Sequence, residues 1–126
     1  MSNPGLEGRK VLVVEDESLV AMLLETMLED MGCTIFGTAA RVEDALELVA
    51  GDTAPDVALL DVNVAGQTVY PVAEALDRKG VPLVFSTGYG QGGLAEDWAG
   101  RPTVQKPYTE AMIRDALMRV LDVRYA

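Results

Sequence analysis

The sequence predicts an α/β fold, a doubly wound five-stranded parallel sheet in the order 2-1-3-4-5, on three observations. Five short apolar runs recur about every 20–26 residues: Val11-Leu12-Val13-Val14, Thr34-Ile35-Phe36, Val57-Ala58-Leu59-Leu60, Leu83-Val84-Phe85 and the weaker Thr103-Val104. Between them the apolar residues take helical spacing, the alternation of a parallel sheet covered by crossover helices on both faces. Polar residues close the runs: Glu15 and Asp16 the first, Asp61 the third and Thr87 the fourth, while Lys106 follows the fifth. In a parallel sheet these ends share one edge, where ligands bind at the topological switch point. The second run ends in Thr38-Ala39-Ala40, with nothing reactive, which sets it at the margin beside strand one.

The first helix is expected to start near Glu17 or Ser18. Val20, Leu23, Leu24, Met27, Leu28 and Met31 form its core face, and Gly32 ends it. The second uses Val42, Ala45, Leu46 and Val49. The third starts near Pro71, where a missing N–H costs nothing, packs Val72, Ala73 and Leu76, and stops at Gly80. The fourth is marginal: Gly88, Gly90, Gly92 and Gly93 precede only Leu94 to Ala99, too short to hold itself without packing. The last helix follows Thr109 as N-cap and buries Ile113, Ala116, Leu117, Val120 and Leu121.

At 126 residues, 49% hydrophobic, the chain fits one domain over residues 1–126 with a core from about 9 to 123. Twenty acidic residues against ten basic ones give a net charge of −10, which repels nucleic acid and anionic membrane alike. No apolar run approaches the roughly 18 residues that span a bilayer, so a cytoplasmic protein is expected. One cysteine, Cys33, and no histidine exclude an internal disulfide, the usual zinc frameworks and any Cys/His or Ser/His catalytic pair. A metal here must be held by oxygen.

Three acids facing one lysine leave an excess of negative charge in the crevice, and a divalent cation removes it. Mg²⁺ suits such a site, taking carboxylates and waters and keeping room for a phosphate oxygen. The ion and Lys106 would offset the charge on a phosphoryl group transferred to a carboxylate.

The residues Val11-Leu12-Val13-Val14-Glu15-Asp16-Glu17, Leu59-Leu60-Asp61-Val62-Asn63, Val84-Phe85-Ser86-Thr87-Gly88 and Lys106-Pro107 resemble the receiver domain of two-component response regulators, over nearly everything from Arg9 to Val123. The resemblance implies the flavodoxin-like receiver fold. It also implies that Asp61 accepts a phosphoryl group from the phosphohistidine of a sensor histidine kinase. By the same likeness Asp16, Asp61 and the Asn63 carbonyl hold Mg²⁺, with Glu15 assisting through water. Lys106 pairs with the phosphoryl oxygens, ahead of a Lys-Pro bond that is usually cis in the family. Thr87 swings its hydroxyl onto the phosphoryl group, helped by the Gly88 N–H. The chain is then no enzyme beyond its own phosphorylation and dephosphorylation, but a switch or phosphate sink without an output domain of its own. Aspartate-nucleophile phosphohydrolases use similar groups, yet place the nucleophile after the first strand with a second Asp two residues on; Asp61 follows the third, and Asn63 stands two residues after it.

Two positions depart from the family pattern. Thr103 stands where an aromatic switch is usual, three residues before the lysine, and Ala65 stands where proline is usual, four residues after the acceptor. Tyr89 is the expected substitute for the missing aromatic. Phe85-Ser86-Thr87-Gly88-Tyr89, with Tyr70-Pro71-Val72-Ala73, resembles the atypical single-domain receivers nicknamed FAT-GUY, with Ser86 replacing Ala. That likeness implies a kinase of the HWE or HisKA2 type. Downstream protein partners are expected at the fourth helix, the fifth strand and the last helix.

Overall fold

The computed structural model describes residues 5–88 and 94–124. Its main sheet is built from β1 (Lys10–Val14), β2 (Thr34–Ala39), β3 (Val57–Asp61), β6 (Leu83–Thr87) and β7 (Thr103–Gln105). These lie in the order β2-β1-β3-β6-β7, all pairs parallel, which is the 2-1-3-4-5 arrangement read from the sequence. Helices α1 (Ser18–Asp30), α2 (Val42–Ala50), α3 (Tyr70–Arg78) and α4 (Glu110–Arg124) connect and cover it. None of the helices among the described residues is long and apolar enough to cross a membrane.

The central strands are apolar on both faces because both faces are covered. Leu12, Val14, Ala58, Leu60, Leu83 and Phe85 pack with α2 and α3. Their neighbours Val11, Val13, Val57, Leu59 and Val84 pack with α1 and α4 on the other side. The one-residue alternation of each strand thus divides its side chains between two cores.

Helix boundaries follow local chemistry. Pro71 lies in the first turn of α3. Gly32 and Gly80 end α1 and α3 with φ of +91° and +72°, values a side chain resists. Thr109 caps α4, its Oγ1 accepting the Met112 N–H at 3.2 Å.

Three expectations need correction. Among the described residues, the region of the fourth helix holds only a single 3₁₀ turn, Glu96–Trp98, because the segment is too short to propagate α-helix. Leu94 and Trp98 are partly buried against the α2/α3 core, and three rings hold the segment there. Trp98 stacks on Tyr70 at 5.8 Å and meets Phe85 edge-on at 5.7 Å, while the Tyr70 hydroxyl accepts the Ala95 N–H at 2.7 Å. The second correction concerns α1, whose buried residues are Ala21, Leu24 and Leu28. Leu23, expected in the core, is 50% exposed beside Leu19 at 80% and Met22 at 61%. The third is an unanticipated hairpin after β3: β4 (Asn63–Val64) pairs antiparallel with β5 (Gln67–Thr68) around Ala65-Gly66.

Candidate functional site: an acidic crevice bridged by one lysine

Four segments meet at the C-terminal edge of the sheet. Glu15 and Asp16 follow β1, Asp61 ends β3, Thr87 ends β6, and Lys106 follows β7. The acids arrive together because β1 and β3 are adjacent and in register, Val14 facing Leu60. Glu15, Asp16 and Asp61 each offer an oxygen within 4.8 Å of the others. Glu15 and Asp61 are buried, at 2% and 9% exposure, and Asp16 is exposed.

Lys106 binds this cluster from the opposite side. Its Nζ donates to Glu15 Oε1 and to Asp61 Oδ2, each at 3.0 Å. Its backbone N–H donates to the Thr87 carbonyl at 3.0 Å, tying the lysine to the end of β6, and the Lys106–Pro107 bond is cis. Glu15 Oε2 accepts the Glu17 N–H at 3.0 Å, and Asp16 Oδ2 accepts the Ala65 N–H at 2.9 Å. Three carboxylates and one ammonium leave the site with an excess of two negative charges.

The electrostatics follow from burial and crowding. Desolvation is the largest influence on Asp61 and raises its pKa, against the Lys106 ammonium and the Asn63 N–H. Glu15 is raised for the same reason, and the Asp61 charge adds to the rise. Burial alone would lower Lys106, but hydrogen bonds to Glu15 and Asp61 and their charges outweigh it, so its pKa is raised. All donors to a cation here are carboxylate or carbonyl oxygens, as a hard divalent ion requires.

Most of the sequence-derived residues converge here, with Lys106 on Glu15 as well as on Asp61. Asn63 begins β4 next to the acid. Thr87 is buried at the end of β6, and Gly88 follows it at the surface. Thr103 pairs with Phe85 across β6 and β7, and its hydroxyl donates to the Arg101 carbonyl at 2.9 Å, so it is engaged in the strand's own turn. Tyr89 lies outside the described residues.

Two features had no sequence signal. The Tyr108 hydroxyl is buried with no hydrogen-bond partner among the described residues, and burial, then the Glu15 charge, pushes its pKa up to about 12. The Ala65 N–H that holds Asp16 belongs to a backbone conformation that the residue type does not announce.

Comparison with known proteins bears on the family of the chain. Residues 11–118 match the response regulator receiver domain family. The chain is 27% identical over 118 residues to the phyllosphere-induced regulator PhyR of Methylorubrum extorquens, covering 89% of this chain and 43% of PhyR. It is 35% identical over 89 residues to the transcriptional regulatory protein PdtaR of Mycobacterium tuberculosis, covering 70% of this chain and 43% of PdtaR. It thus spans less than half the length of these curated relatives. Among solved structures, SdrG from Sphingomonas melonis Fr1 superposes with a TM-score of 0.80 at 41% identity, over 96% of this chain and 99% of SdrG. The receiver domain of Erythrobacter litoralis PhyR gives 0.82 at 32% identity, over 95% of both chains. A match running from the first strand into the last helix, on a sheet of the same order, leaves one reading: this chain belongs to the receiver domain family of two-component response regulators.

Proposed function

We propose that Asp61 accepts a phosphoryl group from the phosphohistidine of a sensor histidine kinase in a Mg²⁺-dependent reaction, so that the chain works as a signalling switch or phosphate sink. The observation that carries this reading is the Lys106 ammonium joining Glu15 to Asp61 beside an exposed Asp16. A carboxylate oxygen of Asp61 attacks phosphorus, the P–N bond breaks, and its electron pair leaves with the imidazole nitrogen. An acyl phosphate results. Burial raises the basicity of Asp61 and favours attack, while Lys106 opposes its protonation. Lys106 then turns to the phosphoryl oxygens, and the Thr87 hydroxyl and Gly88 N–H bind the same group. Asp16, Asp61 and the Asn63 carbonyl would hold Mg²⁺, with Glu15 assisting through water, and the ion would supply the positive charge that the site lacks.

The donor histidine must reach Asp61, so the kinase covers the mouth beside it. Exposed Leu23 on α1 lines an apolar groove of about 320 Å³ with Val20, Lys106, Pro107 and Tyr108, and the same helix also exposes Leu19 and Met22, which suits that contact. The likeness to atypical receivers favours an HWE or HisKA2 kinase. Downstream partners are assigned to residues 94–99, β7 and α4. On this reading the chain is cytoplasmic, and it turns over no substrate except its own phosphoryl group. The test is transfer of radiolabel from a purified, autophosphorylated histidine kinase. Label passes to the wild type in Mg²⁺ and not to Asp61→Asn; label on the variant removes the assignment.

A further inference from the structure

We propose that the backbone N–H of Ala65 is a positioning group that sets the Asp16 carboxylate for the cation, a role resting on the Mg²⁺ reading above. The β4–β5 hairpin is anchored at its base: the Val62 N–H donates to the Ser86 carbonyl at 3.1 Å, and the Val69 N–H to the Val62 carbonyl at 2.9 Å. Val64 is fully buried beneath it. Asn63 faces Thr68 and Val64 faces Gln67, so the loop is the two residues Ala65 and Gly66, with φ of +50° and +83°. Positive φ at both central residues is the turn that matches the twist of a hairpin.

The position is unusual for alanine, which resists the left-handed region. Of the described residues other than glycine, Ala65 alone has positive φ. This conformation presents its N–H to Asp16 Oδ2 at 2.9 Å, across 49 residues of chain. Asp16 is exposed, and a donor on an anchored turn selects one orientation for it. A carboxylate has about four acceptor positions, so one N–H leaves the others to a cation. Proline, the residue usual at this place in the family pattern, fixes φ near −65° and has no N–H. It can neither adopt this turn nor make this bond.

Loss of the donor should weaken Mg²⁺ by about tenfold, the lower end of what partners of metal ligands contribute, because Asp16 is solvated. Calorimetric titration of the whole chain with Mg²⁺ tests this. Ala65→Pro should bind about tenfold more weakly, and Ala65→Gly, which keeps both N–H and turn, should retain the affinity. Equal affinity in Ala65→Pro and wild type overturns the role, as does an equal loss in Ala65→Gly. A second readout needs neither metal nor the proline variant: the Ala65 amide proton signal in Mg²⁺-free protein. It should be shifted and protected in wild type and lose both properties in Asp16→Asn; an amide indifferent to that change also overturns the proposal. A wild type that binds no Mg²⁺ at all sinks the metal reading and this role with it, whereas failure confined to the Ala65 comparisons sinks only the role of Ala65.

Discussion

Lys106→Met tests the electrostatics of the crevice. The lysine bonds two carboxylates whose side chains are 1% and 11% exposed, with a third acid alongside. Methionine keeps the length of the side chain and removes the cation that the described residues pair with the cluster. Breaking a buried pair on one side costs about 3–5 kcal/mol. The lower end applies, because Glu15 keeps the Glu17 N–H and Asp61 the Asn63 N–H. A loss of about 3 kcal/mol lowers the melting temperature of a domain this size by roughly 10 °C. The loss also carries a pH signature. Glu15 and Asp61 already have folded pKa values above their ordinary ones, and removing Lys106 raises them further. The stability linked to a raised carboxylate pKa is fully present below the ordinary carboxylate range and lost as pH rises through the raised value. The penalty of Lys106→Met should therefore be largest at neutral pH and shrink toward about pH 4, where both acids take up protons. Mg²⁺ in hundredfold excess over its dissociation constant should return about 2.7 kcal/mol. Urea unfolding in chelator and in Mg²⁺, at several pH values, measures all of this. A variant as stable as wild type in chelator, or a loss independent of pH, would refute the reasoning.

Asp61→Asn should stabilise the Mg²⁺-free domain at neutral pH by relieving a crowded buried charge, and should shrink the rise in melting temperature that Mg²⁺ produces; thermal scans in chelator and Mg²⁺ compare the two. Tyr108→Phe removes a hydroxyl without a partner among the described residues, so chemical denaturation should show unchanged stability or a gain of up to about 1 kcal/mol, and a loss beyond that would mean the hydroxyl is bonded. Trp98→Ala should cost about 2–3 kcal/mol, since Trp98 contacts Tyr70, Phe85 and the Arg101 guanidinium at 4.8 Å while only partly buried. Equilibrium unfolding checks it, and a cost near zero would mean the aromatic cluster holds nothing.

The strands and the site were legible for one reason. Apolar runs such as Val57 to Leu60 are buried on both faces, so the first acid after them must lie at the sheet edge, and the order of the strands brings those edges together. What was hidden depends on contacts between distant segments. Leu23 has the spacing of a core residue, yet α1 turns Ala21, Leu24 and Leu28 inward and leaves Leu23 beside the crevice mouth. The Ala65-Gly66 turn lacks the Asn-Gly or Asp-Gly signal of such hairpins, and its conformation is held by packing of Val64 below and Asp16 above. Lys106 was expected to serve phosphoryl oxygens; its bond to Glu15, 91 residues away in the chain, appears only when the fold gathers the ends of β1 and β7 at one edge of the sheet.

The central claim is that Asp61 is a nucleophile toward phosphorus, and the most direct test needs no kinase. The chain would be incubated with acetyl phosphate or phosphoramidate in Mg²⁺, the acyl phosphate trapped by borohydride reduction, and the modified residue located by tandem mass spectrometry. The account predicts one modified residue, Asp61, with no product in chelator and none in Asp61→Asn. Modification of another acid, or equal modification without Mg²⁺, would contradict it.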